Sequence, residues 1–184
     1  MGRLKLNLLM VGTTFVLFIA ALALNELLFT RLEVTAGINW IYLPAGIRLL
    51  ATLLFAEAGA VGLLLVSWVV CFFIFFPDDL VRSFMGGILA SVSPWLVYRG
   101  MQHFSGLRPS LANLTPGGLL ACACAFSVAS PLLHHLWFWL YEHKTHLADS
   151  FLAMVTGDFF GTLIVLYLAK GLLALYDRKR ASLQ

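Results

Sequence analysis

The chain has 184 residues, of which 61% are hydrophobic and only 11% charged, with a mean hydropathy of +0.91 and a formal net charge of +3. A soluble domain carries roughly 25% charged residues, so the polar side chains here cannot cover a water-soluble globule. The small positive charge sits in short terminal and loop clusters, which fits positive-inside membrane topology and argues against nucleic acid as a partner.

Apolar runs recur along nearly the whole chain and predict an all-α, polytopic membrane protein, a bundle of about six helices with the lipid bilayer as its partner. Arg3 and Lys5 precede the first span, residues 6–29, which is too long for a signal-peptide core and is expected to stay in the mature protein. A loop with Arg31 and Glu33 leads to the second span, 39–55, and a tight turn at 56–59 leads to the third, 60–76. The fourth, 80–101, follows Pro77-Asp78-Asp79 and contains Pro94. Beyond a loop at 102–116, the fifth span, 117–141, carries Pro131 and the pair His134-His135. The sixth, 147–175, carries Gly157-Asp158 and Gly161 and runs into a basic tail, Arg178-Lys179-Arg180. No repeat, low-complexity segment or soluble domain interrupts this single transmembrane unit.

Basic residues near the span ends set the orientation. With the N-terminus inside, Arg3, Lys5, Arg99, Arg108, Lys170, Arg178, Lys179 and Arg180 fall on the inner side, against Arg31, Arg82 and Lys144 outside. Both termini are therefore expected in the cytoplasm.

The second span poses the sharpest question. It begins with Trp40 and Tyr42, aromatics suited to a membrane interface, then carries Pro44, Gly46 and a permanently charged Arg48. A guanidinium within lipid costs at least ~2.5 kcal/mol and is usually paired. Counted from the outer ends of their spans, Arg48 and Asp158 lie at matched depth, roughly 13–17 Å down. The expectation is an ion pair between them, with Gly157 and Gly161 forming a small-residue face that lets another helix approach. Asn25, Glu26, His134 and His135 also fall in the outer half of their spans, as an outward-facing polar pocket requires. Two readings of the pair stay open: a structural lock between helices, or the wall of a ligand pocket.

The remaining polar chemistry is sparse. Cys71, Cys122 and Cys124 lie in apolar segments and read as packing residues. His143 and His146 have helical i, i+3 spacing, with Asp149 three further on, which makes a weak metal candidate beside the plainer reading of solvated loop histidines. No nucleophile–base motif, phosphate loop or metalloprotease motif appears, so neither an enzyme nor a cofactor is expected.

The run Trp40-Ile41-Tyr42-Leu43-Pro44-Ala45-Gly46-Ile47-Arg48 resembles the tryptophan–proline–alanine–glycine signature of the first type of membrane-associated sensor domain (MASE). The stretch from Leu53 to Gly62 and the segment Thr156-Gly157-Asp158-Phe159-Phe160-Gly161 are similar to that family's glycine-rich turn and closing helix. The resemblance implies an input module of the bacterial inner membrane that binds a small ligand or a partner and, as a stand-alone chain, signals through a partner protein. The alternatives are the substrate-binding subunit of a vitamin-like uptake transporter and an accessory or scaffold subunit of a membrane complex.

Overall fold

The computed structural model describes residues 2–106, 115–143 and 147–181, the Asp177 side chain excepted. Six α-helices carry the fold: α1 (Arg3–Phe29), α2 (Leu43–Phe55), α3 (Glu57–Val70), α4 (Leu80–Ser105), α5 (Pro116–Leu140) and α6 (Leu147–Ala181). Among the described residues, five stretches are long and apolar enough to cross a membrane. These lengths and compositions are compatible with a multi-pass membrane protein.

The second element departs from expectation. α2 has 13 residues, about 20 Å, too short for a hydrocarbon core of about 30 Å. The expected helical span 39–55 is helical only from Leu43: Asn39 ends β2, the chain bends at Trp40 and Ile41, and Tyr42 is extended at φ −130° and ψ 90°. The expected loop before it is a two-stranded hairpin, β1 (Glu33–Thr35) against β2 (Ile38–Asn39), turned at Gly37 with φ 79°. The turn is tied by the Gly37 N–H, which donates to the Glu33 carboxylate at 3.3 Å. Pro44 does not break a helix. It sits in the first turn of α2, where its missing N–H has no intrahelical acceptor to lose.

The expected tight turn at 56–59 contracts to one residue. Ala56, with φ 50°, joins α2 directly to α3, and a side chain at Gly59 would run into the Ala51 carbonyl. α3 then widens into a π-helical turn, Cys71–Phe75. The Ser83 hydroxyl of α4 closes it, facing the Cys71 and Phe76 carbonyls at 2.9 and 2.7 Å.

The burial pattern explains the layout. α1 is apolar all round, and its buried residues Thr14, Phe18, Leu22 and Asn25 form one stripe at helical spacing. Its other faces are left for lipid. In α2 every residue from Leu43 to Leu53 is buried. It is the central rod, flanked by α1, α3, α4 and α6. Phe18, Leu22, Leu49, Leu53, Leu63, Val66, Tyr98, Phe126 and Leu166 form the main core around it.

The two ends of the bundle differ. At one, the hairpin, Phe75 and Phe76 meet Arg82 of α4, which pairs with Glu142 at 3.3 Å. At the other, Phe55 and Glu57 neighbour Arg3, and Glu57 faces Arg99 at 3.9 Å. α6, 35 residues and about 52 Å long, begins at the hairpin end and overshoots a 30 Å bilayer core by about 20 Å, ending in its basic tail.

Candidate functional site

Arg48 projects from the middle of α2 and is 93% buried, its relative exposure being 7%. Its guanidinium carbon lies 5.5 Å from the Tyr42 ring centre and 5.6 Å from that of Phe18. Each such contact is worth about 0.5–2 kcal/mol, most where water is excluded. No carboxylate lies within 4 Å of it among the described residues, and Nε has no hydrogen-bond partner.

Arg48 opens instead onto a chamber of about 50 Å³ at the hairpin end. Ala36, Gly37 and Ile38 of the hairpin border the chamber, with Phe75 and Phe76 beside them. Ser67, Cys71, Arg82, His134, Trp137 and Phe138 complete most of its wall. Gly37 lies close enough to Phe75 that a side chain there would touch the ring at 3.5 Å. The hairpin is thus seated on the π-helical turn. Such turns recur at functional sites because the extra residue re-aims the side chains around it.

The expected Arg48–Asp158 ion pair is not formed, and the reason is geometric. Tyr42 N–H donates to the Gly157 carbonyl at 3.1 Å, and a side chain at Gly161 would meet the Tyr42 carbonyl. Gly46 packs on Gly161 O and Val165, where a Cβ would lie 2.7 and 2.5 Å away. α2 and α6 therefore run parallel, and Arg48 leaves α2 roughly 10 Å further along than Asp158 leaves α6. Counting depth as if residues 39–42 were helical hid that offset. Rotation separates them as well. Gly46 faces α6, and Arg48, two residues on, points about 200° round, toward α1 and α3. Asp158, about 100° round from Gly157, faces Ser130 of α5. Because helical side chains tilt toward the N-terminus, Arg48 reaches back far enough for its charge to act on Asp158 without touching it. Asp158 is 1% exposed, and its Oδ2 lacks a hydrogen-bond partner.

The other expected pocket residues divide. Asn25 is fully buried, and its Oδ1 accepts the Leu43 N–H at 2.9 Å. It satisfies an orphan donor of the first turn of α2 and stands outside the chamber. Asn25→Ala is expected to cost about 1–2 kcal/mol and lower the unfolding midpoint in detergent by roughly 2–8 °C. Glu26→Ala, one residue along, is expected to change it by less than about 2 °C. Glu26 is exposed and borders an outer groove with Glu33 and Ile74, away from Arg48. Trp40, at the bend after β2, is 43% exposed, and its backbone N–H closes the hairpin onto Leu32 O at 3.0 Å. Gly46, Gly157 and Gly161 do form a small-residue contact, and it is the α2–α6 interface itself.

The histidine pair splits between two surroundings. His134 lines the chamber, and its Nδ1 lies 2.8 Å from the Ser130 carbonyl, which leaves Nε2 for other partners. His135 is committed to packing. Its Nδ1 meets Pro131 O at 2.9 Å and its Nε2 meets the Ser150 hydroxyl of α6 at 3.0 Å, between the Phe138 and Phe151 rings. His143 takes a left-handed conformation, φ 48°, just after α5. His146 and Lys144 lie outside the described residues. No cluster of three or more metal-ligating side chains occurs among the described residues.

Residues that sequence reasoning did not connect with Arg48 complete the site: Tyr42 as ring partner, and Ser67, Arg82 and Trp137 as chamber walls. Arg82 reads in the sequence as a loop charge, but it stacks on Phe76 at 4.0 Å and is only 23% exposed. One signal was available. The four side chains fall at or near the same ends of spans that must run antiparallel. No protein-family model matches the chain, and comparison with curated proteins and with solved structures also gives no match.

Proposed function

We propose that this chain is a sensor-type input module of a bacterial inner membrane, with the hairpin end outside and both termini in the cytoplasm. In this reading it binds a small ligand in the Arg48 chamber and passes the change to a protein partner. The carrying observation is that α6 serves both sites. Its Gly157–Gly161 face beds the helix that bears Arg48, and its far end extends about 20 Å beyond a bilayer core as an exposed basic helix. An occupant that pulls on Arg48 biases the seat of α2 on α6, and α6 carries the shift to where a partner could read it. A ligand must favour one α2–α6 arrangement over another to signal at all. The size of the chamber favours this reading over a vitamin-uptake subunit, whose ligand needs a pocket of about 300–1,000 Å³.

Purification from its native membrane in mild detergent, followed by mass spectrometry, tests the proposal. The expected companion is a signalling enzyme in fixed stoichiometry, lost when Arg178, Lys179 and Arg180 are changed together to glutamate. A transport ATPase with its coupling subunit, retained by that variant, would overturn it.

A further inference from the structure

We infer that the Arg48 chamber is a binding site for a small monovalent anion of halide, nitrate or formate size; the inference deepens the sensor reading and rests on it for its biological use. The walls supply donors and no competing acid. Arg48, Ser67, Arg82, His134 and Trp137 all line the space, and none of its lining residues carries a carboxylate. Three of these have a buried donor atom without a hydrogen-bond partner, Arg48 Nε, Ser67 Oγ and Trp137 Nε1, while Arg82 Nε is taken up by the Glu142 carboxylate. Buried donors are almost always satisfied, so three unmet ones on the residues around one space mark a site shaped for an acceptor.

Charge points the same way. Arg82 already faces Glu142, at 3.3 Å, whereas Arg48 has two aromatic rings and, among the described residues, no carboxylate within contact. A fixed cation in an apolar bundle, kept out of contact with the carboxylate of Asp158, has a counter-charge to find. Size limits what that is. By the same measure one water needs about 10–15 Å³, so 50 Å³ admits one small ion with a water or two. It excludes sugar phosphates, nucleotides and amino acids. Phe18, Phe75, Phe76 and Phe138 keep the rest of the wall apolar, which suits a weakly hydrated anion over a strongly hydrated one such as sulfate.

The test uses the full chain purified in detergent, with chloride, bromide, nitrate and formate titrated at constant ionic strength against gluconate. Binding is expected to raise the unfolding midpoint with the logarithm of anion concentration above half-saturation, by about 5–10 °C at a hundredfold excess. Sulfate is expected to give no such rise. Arg48→Met is expected to abolish the response. Should that variant fold poorly, Ser67→Ala and Trp137→Phe each remove one donor with little change of shape and are expected to raise the half-saturating concentration about tenfold. A flat midpoint with all four anions, or responses in both donor variants equal to the wild type, would overturn the site. Anion binding that leaves partner association unchanged would keep the site and sink the sensor reading. An intact partner with no anion response would do the opposite.

Discussion

Gly161→Ala is expected to cost about 3 kcal/mol or more and to lower the unfolding midpoint in detergent by roughly 6–12 °C, or to prevent recovery of monodisperse protein. The added methyl group would meet the Tyr42 carbonyl and lie 3.0 Å from Leu43 N. Those are backbone atoms, fixed between the Asn25 cap on one side and Gly157 on the other. A flexible side chain could swing away, but this segment can only move as a unit. Gly157→Ala is expected to act alike, because its methyl would meet the Asn39 carbonyl. The control lies in the same helix. Gly171 has open space around its Cβ position, so Gly171→Ala is expected to be neutral or to stabilise by up to about 1 kcal/mol. Equal effects at positions 161 and 171 would show that the α2–α6 seat is not the contact described here.

The second large effect concerns the two enclosed charges. Arg48→Met is expected to destabilise by about 1–3 kcal/mol, through loss of the Phe18 and Tyr42 ring contacts and of the longer-range attraction to Asp158. Adding Asp158→Asn is expected to restore about 1–2 kcal/mol, so the double variant should unfold at a higher temperature than Arg48→Met alone. The size follows from distance. The groups are beyond contact, and unit charges more than about 4 Å apart at an effective dielectric of about 20 interact by less than roughly 4 kcal/mol. A full set of single and double variants, followed by thermal unfolding, measures the coupling. Strict additivity would mean that the two charges do not sense each other. Coupling of 4 kcal/mol or more would mean a direct salt bridge.

The long helices were legible in the sequence because twenty apolar residues in a row leave the backbone few alternatives in a membrane. The expected 6–29, 80–101 and 117–141 correspond to Arg3–Phe29, Leu80–Ser105 and Pro116–Leu140. The segment 39–42 was not, since Trp40, Ile41 and Tyr42 continue the apolar run whether extended or helical. A hairpin signal lay just before it, in β-branched Val34, Thr35 and Ile38 around Ala36-Gly37. Missing it shifted the depth of everything after, and that shift created the supposed ion pair. Arg48 was legible as the residue needing explanation, because a guanidinium in such a run is costly anywhere. Its surroundings were not, because opposite sign and similar depth say nothing about rotation about a helix axis. Tyr42, Ser67, Arg82 and Trp137 come together only through the packing of different elements.

The closely enclosed α2 has a consequence for biosynthesis. Translation delivers it early, but its bed, α6, leaves the ribosome only after α3, α4 and α5. Until Gly157 arrives, the Tyr42 amide has no acceptor, and a rod too short to be inserted by its own oiliness lies beside α1 and α3 with one flank bare. Arrival of α6 is therefore the event that draws α2 into place, and a chain stopped short of α6 cannot hold Arg48 at its working depth.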